Sequence, residues 1–178
     1  MKALLQRVSS ASVSIENGDT RSIGRGLVVL LGVAADDVEA DAVGLAEKVL
    51  SLRLFPTKWA FEKSSPPKTI LQEARSDPKA EADFNLSLSE IGGDVLIVSQ
   101  FTLLADVRKG RRPDFTAAAK PEAAVGLYRV FIETVEKQLI TPSSDPKPVV
   151  ATGTFGASMR VTLANEGPVT LLIDTARK

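Results

Sequence analysis

The rhythm of apolar positions changes several times along this chain of 178 residues, and each change predicts an element. Residues 2–8 (KALLQRV) and 12–15 (SVSI) alternate apolar and polar positions, the period of strands with one face covered. Residues 26–33 (GLVVLLGV) are an unbroken branched-apolar run bounded by glycines, which predicts a strand buried on both faces. From Asp36 to about Phe55 the spacing becomes helical: Val38, Ala42, Leu45, Ala46 and Val49, with Leu52 or Arg53, recur at three and four, and Asp36 or Asp37 is placed to cap. Residues 94–101 (DVLIVSQF) follow a Gly-Gly pair and predict another buried strand, after which a polar, basic loop runs to Pro113. The clearest helix is 121–139, with Pro121 in its first turn and Glu122 near its positive end. Ala124, Leu127, Tyr128, Phe131, Val135 and Leu139 form its stripe.

The remaining segments interrupt these patterns. Residues 56–83 carry four prolines and many charges, and predict a surface insertion with one helical turn after Pro67, anchored by Trp59 and Phe61. Residues 141–148 (TPSSDPKP) read as a linker loop, and SMRVTLA and VTLLIDT as two closing strands. Between those two lies NEGPVT, residues 165–170. Proline offers no N–H to a ladder and glycine loses the most conformational entropy on ordering, so by spacing alone the hexapeptide is a turn. The chain shows no internal repeat and fits a single domain, 1–178.

Composition narrows the chemistry. Hydrophobic residues at 44% and charged residues at 25% are ordinary for a soluble globular protein. Lysine plus arginine balances aspartate plus glutamate, 22 against 22, so any site for a polyanion must be local. No apolar run approaches the ~18 residues of a membrane span, and MKALLQRVSS is too short in apolar character for a secretory signal, so a cytoplasmic protein with no membrane partner is expected. There is no cysteine and therefore no disulfide framework. The absence of histidine says more. Ser-His-Asp and Cys-His machinery and zinc sites built on His or Cys are all excluded, so an enzyme here must work with backbone groups, hydroxyls, carboxylates, lysine or the substrate itself.

Four stretches could carry such chemistry. SQFTL (99–103) puts polar groups at the end of a buried strand, where α/β proteins place ligands, although strand-end hydroxyls also serve merely to satisfy backbone. KGRRPDF (109–115) sets three cations in a loop, suited to phosphate or simply to solvent. GTFGASM (153–159) brackets Phe155 with glycines before Met159, either a ligand wall or a tight bend over the core. NEGPVT is the fourth.

In this order the stretches resemble the D-aminoacyl-tRNA deacylase family, through KALLQRVSSASVSI, GRGLVVLLGV, DVLIVSQFTLLAD, KGRRPDF, GTFGASM and NEGPVT. The resemblance implies an α/β fold of curved, mixed β-sheets, barrel-like in β/β/α layers, with two main helices, assembled as a homodimer. It implies hydrolysis of the ester joining a D-amino acid to the 3′-terminal ribose of tRNA, a chiral proofreading step extending to glycyl-tRNA, without metal or organic cofactor. The pair Gly167-Pro168 would be cis and enter the partner subunit's pocket, where its carbonyls hold the substrate's amino group, with Asn165 in the same substrate-binding element. N–H groups around Phe101 and Thr102 would form the oxyanion hole, and Ser99 and Gln100 would shape the site and hold the terminal nucleotide. Phe155 and Met159 would line the adenosine pocket, and Lys109, Arg111 and Arg112 would meet acceptor-end phosphates. The chain departs from the family's usual pattern in the 56–83 segment and in Phe84, which stands where a methionine is commoner. Two rival readings remain: an esterase of small substrates with Thr102 as nucleophile, and a non-catalytic module that binds RNA ends.

Overall fold

Strand β1, Lys2–Ile15, organises the molecule, because every other part of the main sheet is built outward from its two edges. The computed structural model describes residues 1–16, 18–61, 84–140 and 146–176. On one edge, the first half of β1 pairs antiparallel with β3, Gly26–Gly32, and the second half with β2, Thr20–Ile23. On the other edge, β8, Met159–Asp174, runs antiparallel along almost its whole length. Parallel pairing extends the sheet from β3 to β6, Asp94–Ser99, and on to β7, Val150–Thr152. Arg21 of β2 donates a hydrogen bond of 2.7 Å to the Thr152 carbonyl of β7, so the curled sheet nearly closes on itself. This is the mixed α/β architecture, with a curved barrel-like sheet, that the sequence led one to expect.

Two cores result. Leu27, Val29 and Leu31 of β3 and Val95 and Ile97 of β6 face helices α1, Glu39–Ser51, and α3, Pro121–Leu139. Val28, Leu96 and Val98 point the other way, into the sheet's interior with Val8, Val13 and Ala151. The unbroken apolar runs of β3 and β6 follow from this, since both of their faces are covered. A small hairpin of β4, Arg53–Phe55, and β5, Leu86–Ser87, with the short helix α2, Leu88–Ile91, completes the helical side. Among the described residues no helix is long and apolar enough to cross a membrane.

Several boundaries differ from the sequence reading, each for a physical reason. The expected strands at 2–8 and 12–15 are one strand whose phase slips at irregularities between Gln6 and Ser10, so buried positions pass from Ala3 and Leu5 to Val8 and then to Ala11 and Val13. A slip of this kind moves side chains between faces and breaks the period that sequence reading follows. Helix α1 is capped by neither Asp36 nor Asp37. Val38 is its N-cap and Asp41 accepts the Val38 N–H at 2.9 Å, while Asp37 binds the Met1 amine and the Ala34 N–H instead. The helix also ends at Ser51 and not near Phe55, because 53–55 is claimed by the hairpin. Trp59 is buried as expected, in a 3-10 turn over Thr57–Phe61; the Phe61 side chain and the expected turn after Pro67 lie outside the described residues.

The largest difference concerns NEGPVT. It is no turn between two strands but part of β8, which stays paired to β1 on both sides of it. From the pair Gln6–Thr170 to the pair Val8–Asn165, β1 advances two residues and β8 five, so residues 166–169 arch away from the sheet.

Candidate active site

Strand β6 ends at Ser99, and Gln100 turns the chain out of the sheet while its N–H still reaches the Leu31 carbonyl of β3 at 2.7 Å. A single 3-10 turn, Phe101–Leu104, follows, with Leu104 buried beneath it. The N–H groups of Phe101 and Thr102 open that turn and have no backbone acceptor among the described residues, as the start of any helical turn requires. Gly32 lets the turn lie this close to β3. A Cβ there would stand 2.5 Å from Leu104 Cδ2 and 3.0 Å from the Gln100 carbonyl.

Beside this strand end lies a cavity of about 610 Å3, between the start of α3 and the 155–161 segment. Ser99, Gln100, Phe101, Phe155 and Met159 all line it, so five expected site residues from two separate stretches of sequence converge. Tyr128 and Phe115 also line it, although the sequence reading saw in them only a helix stripe and the end of a basic loop. The available signal was the phenol itself, since a buried tyrosine needs a partner for its hydroxyl. Tyr128 donates to the Ile97 carbonyl at 2.9 Å, and burial raises its pKa well above that of an ordinary phenol, against a smaller opposing effect of Arg21. It stays protonated and cannot act as a base near neutrality. The same carbonyl accepts the Gly153 N–H at 2.8 Å, so Tyr128 fastens α3 to β6 and to the loop that carries Phe155. Tyr128→Phe is expected to lower unfolding stability by about 1 kcal/mol, because the carbonyl keeps one donor and the ring keeps its place; urea denaturation measures this.

The cavity wall is rich in aromatic rings. Phe155 meets Tyr128 with ring centroids 5.7 Å apart, and Phe101 meets Phe115 edge-on at 5.0 Å. Phe101 is nevertheless 57% exposed, a large apolar ring standing at the mouth. Gly156, at φ +73, makes the tight turn that places Phe155. Thr102 lies just beyond the lining, where its Oγ1 accepts a hydrogen bond from the Gln100 side-chain amide and, among the described residues, donates to no base.

Phe115 also roots the basic loop at the cavity rim. Asp106 and Asp114 bridge each other through backbone bonds of 2.7 and 2.9 Å, and Lys109, Arg111 and Arg112 stand exposed on the tip. The fourth cation, Arg108, is turned back onto Asp106, whose carboxyl is held down at about 2 chiefly by the hydrogen bond from the Arg108 side chain. Hydrogen bonds from the Thr116 hydroxyl and N–H likewise lower the Asp114 carboxyl. The loop's acids are thus occupied internally, and three cations are left facing outward.

The arch in β8 lies elsewhere on the same chain. Gly167–Pro168 is cis, as the resemblance implied, and both residues are exposed. Neither lines the chain's own cavity. Asn165 fastens the arch from within: its Oδ1 accepts the Val169 N–H at 3.1 Å and its Nδ2 donates to Thr170 Oγ1 at 2.9 Å. Arg7 fastens it from below, donating from Nε to the Glu166 carbonyl at 3.1 Å and from Nη1 to the Leu54 carbonyl at 2.7 Å. Sequence reasoning passed over Arg7, whose signal was a charge in phase with the buried positions Ala3 and Leu5.

The family model described as D-Tyr-tRNA(Tyr) deacylase matches residues 4–174. The chain belongs to that family. Among curated relatives, the D-aminoacyl-tRNA deacylase of Syntrophobacter fumaroxidans is 42% identical over 177 residues, covering 99% of both chains. That of Dehalococcoides mccartyi is 45% identical over 175 residues, covering 98% of this chain and 95% of the relative. Among solved structures, one titled c-Myc DNA Unwinding Element Binding Protein superposes with a TM-score of 0.77 at 32% identity, covering 99% of this chain and 100% of that one. A second, described as a probable eukaryotic D-amino acid tRNA deacylase, shares the fold, with a TM-score of 0.71 at 21% identity over 97% of each chain. In this deacylase family member, the matched region takes in the cavity, the basic loop and the β8 arch together.

Proposed function

We propose that this protein hydrolyses the ester of D-aminoacyl-tRNA, releasing free tRNA and the D-amino acid. Besides family membership, one observation carries the reading: among the described residues, the cavity lining contains no carboxylate, lysine or arginine, and its one phenol is held protonated. With no histidine or cysteine anywhere in the chain, such a pocket suits a substrate that brings its own reactivity. An aminoacyl ester of ribose does so, being an activated acyl group with a neighbouring 2′-hydroxyl that can orient the attacking water. The protein then needs to supply position and an oxyanion site, and the N–H groups of Phe101 and Thr102 are suited to that role. Phe155 and Met159 offer surfaces for the terminal adenosine, Ser99 and Gln100 polar contacts to its ribose, and Lys109, Arg111 and Arg112 charge for nearby phosphates.

Handedness is sorted, in this reading, by the β8 arch of a second copy. Each protomer of a homodimer would insert Gly167–Pro168 into its partner's cavity. The exposure of the pair and its absence from the lining of its own chain's cavity support this arrangement. Enantiomers carry the same groups, so discrimination requires a clash with the wrong one, and main chain fastened by Asn165 and Arg7 yields little. Glycine has no side chain to clash, so glycyl-tRNA would also be accepted.

The test is deacylation of matched D- and L-aminoacyl-tRNA by purified, chelator-treated protein. Rapid loss of the D-ester with the L-ester spared is expected, and Thr102→Ala should retain turnover because its hydroxyl has no activating base. Abolished turnover in folded Thr102→Ala would favour a nucleophilic esterase. Binding of charged tRNA with hydrolysis no faster than in buffer would favour a passive RNA-end module, and preference for the L-ester would end the proofreading reading.

A further inference from the structure

Arg7 is 3% exposed, and a buried guanidinium is unfavourable unless hydrogen bonds and polarisable surfaces replace its water. Its Nε and Nη1 are spent on the Glu166 and Leu54 carbonyls, and its Nη2 stands 2.8 Å from the point that a Cβ on Gly167 would occupy. The guanidinium therefore forms the floor of the β8 arch. Two aromatic rings flank it: the Trp59 centroid lies 5.7 Å from Arg7 Cζ and that of Phe84 lies 5.8 Å away. These rings come from the two ends of the segment that the sequence marks as unusual. Trp59 is buried, tilted against Phe55 at 5.6 Å, with Arg25 5.2 Å from its ring. Phe84 is 53% exposed, and the next residue, Asn85, pins it by donating its N–H to the Phe55 carbonyl at 3.0 Å and its side-chain amide to Thr57 at 3.2 Å.

We infer that Trp59 and Phe84 are positioning residues for the Gly167–Pro168 arch, acting through Arg7. An aromatic face attracts a guanidinium and fixes its plane, and a fixed plane fixes the direction of the N–H groups that hold Glu166. Excluding water from that contact strengthens the hydrogen bond as well. Trp59 is part of the core and does this from inside. Phe84 does it from the solvent side, so it contributes to the aim of the arch with little share in the fold. The role in stereoselection rests on the function proposed above; the mechanical coupling does not.

Two measurements separate those levels in Phe84→Ala, Phe84→Leu and Phe84→Tyr. The first is amide hydrogen exchange at Val169, whose N–H closes the arch onto Asn165, referenced to amides in the centre of β3. The second is the ratio of kcat/KM for D- over L-aminoacyl-tRNA. Phe84→Ala is expected to accelerate exchange at Val169 by about two- to fivefold, the worth of an exposed cation–π contact, and to lower the D-over-L ratio by a similar factor. Phe84→Tyr should restore both, and Phe84→Leu, which keeps apolar bulk and so guards against a misfolded alanine variant, should restore neither. Unchanged exchange and ratio in Phe84→Ala, or full rescue by leucine, would overturn the inference. A wild-type protein that does not deacylate at all would sink the functional reading, and the exchange arm would still decide the coupling.

Discussion

Gly167→Ala is expected to leave the protein folded and to lower kcat/KM for D-aminoacyl-tRNA by about a hundredfold, the scale of loss when reacting groups are displaced by about an ångström. Gly167 sits at φ +118, where side chains are strained, and a Cβ there would meet Arg7 Nη2 at 2.8 Å, Val169 Cγ2 at 2.9 Å and the Val169 N at 3.3 Å. The arch must therefore shift against the two residues that fasten it. Gly167 and Pro168 are exposed, and the buried Arg7 and Val169 belong to neither of the two core clusters, so the shift spares those clusters. Circular dichroism should match the parent and thermal melting should fall by only a few degrees, the cost of the strained backbone, while single-turnover deacylation collapses. Full activity in the variant would mean that the arch takes no part in the reaction.

The second large effect concerns folding. Gly26→Ala should cost more than about 3 kcal/mol, beyond the usual range for overpacking, and yield mostly insoluble protein. Gly26 opens β3 opposite Asp94, the first residue of β6, and an added Cβ would lie 1.8 Å from the Asp94 carbonyl oxygen and 2.6 Å from its carbon. These are backbone atoms, so no rotamer change relieves the clash. Asp94 is also a junction: its carboxylate accepts the N–H groups of Gly24 at 2.8 Å and Val149 at 3.1 Å, joining the starts of β3, β6 and β7. Displacing it would disturb the parallel strands whose far ends carry the cavity. Gly44 in α1 is the control, since a Cβ there meets nothing within 4 Å and alanine should stabilise the helix by up to about 1 kcal/mol. Solubility and chemical denaturation of the two variants distinguish a close-approach glycine from a tolerated one.

Elements whose burial is uniform along their length were legible in the sequence. Helix α3 occupies the residues that its stripe and Pro121 marked, and the cores of β3 and β6 fall within their apolar runs. Elements that change partners were not. β1 slips phase where it meets the arch, β2 is too short to show a period, and β8 hides its continuity behind a Gly-Pro pair. The acidic cap of α1 failed for a related reason, since Asp37 found a partner distant in sequence, the Met1 amine. At the site, SQFTL and GTFGASM were visible as polar or glycine-rich ends, yet nothing in their spacing said that they share a cavity. Tyr128 and Arg7 were concealed as ordinary members of apolar stripes.

What the sequence determined by itself is the chemistry left available: without histidine or cysteine, any catalysis must use main chain, hydroxyl groups, carboxylates, lysine or the substrate's own reactivity. It also determined the covered faces of β3, β6 and α3, because the period of burial is written into residue order. The tertiary structure alone decided that residues 99–101, 155 and 159 line one cavity, that residues 166–169 arch from a continuous strand, and that Arg7 lies beneath them between Trp59 and Phe84. Hydrophobic period fixes which face an element buries. Contacts between elements far apart in sequence depend on register and on close approach of backbone, and local spacing does not encode either.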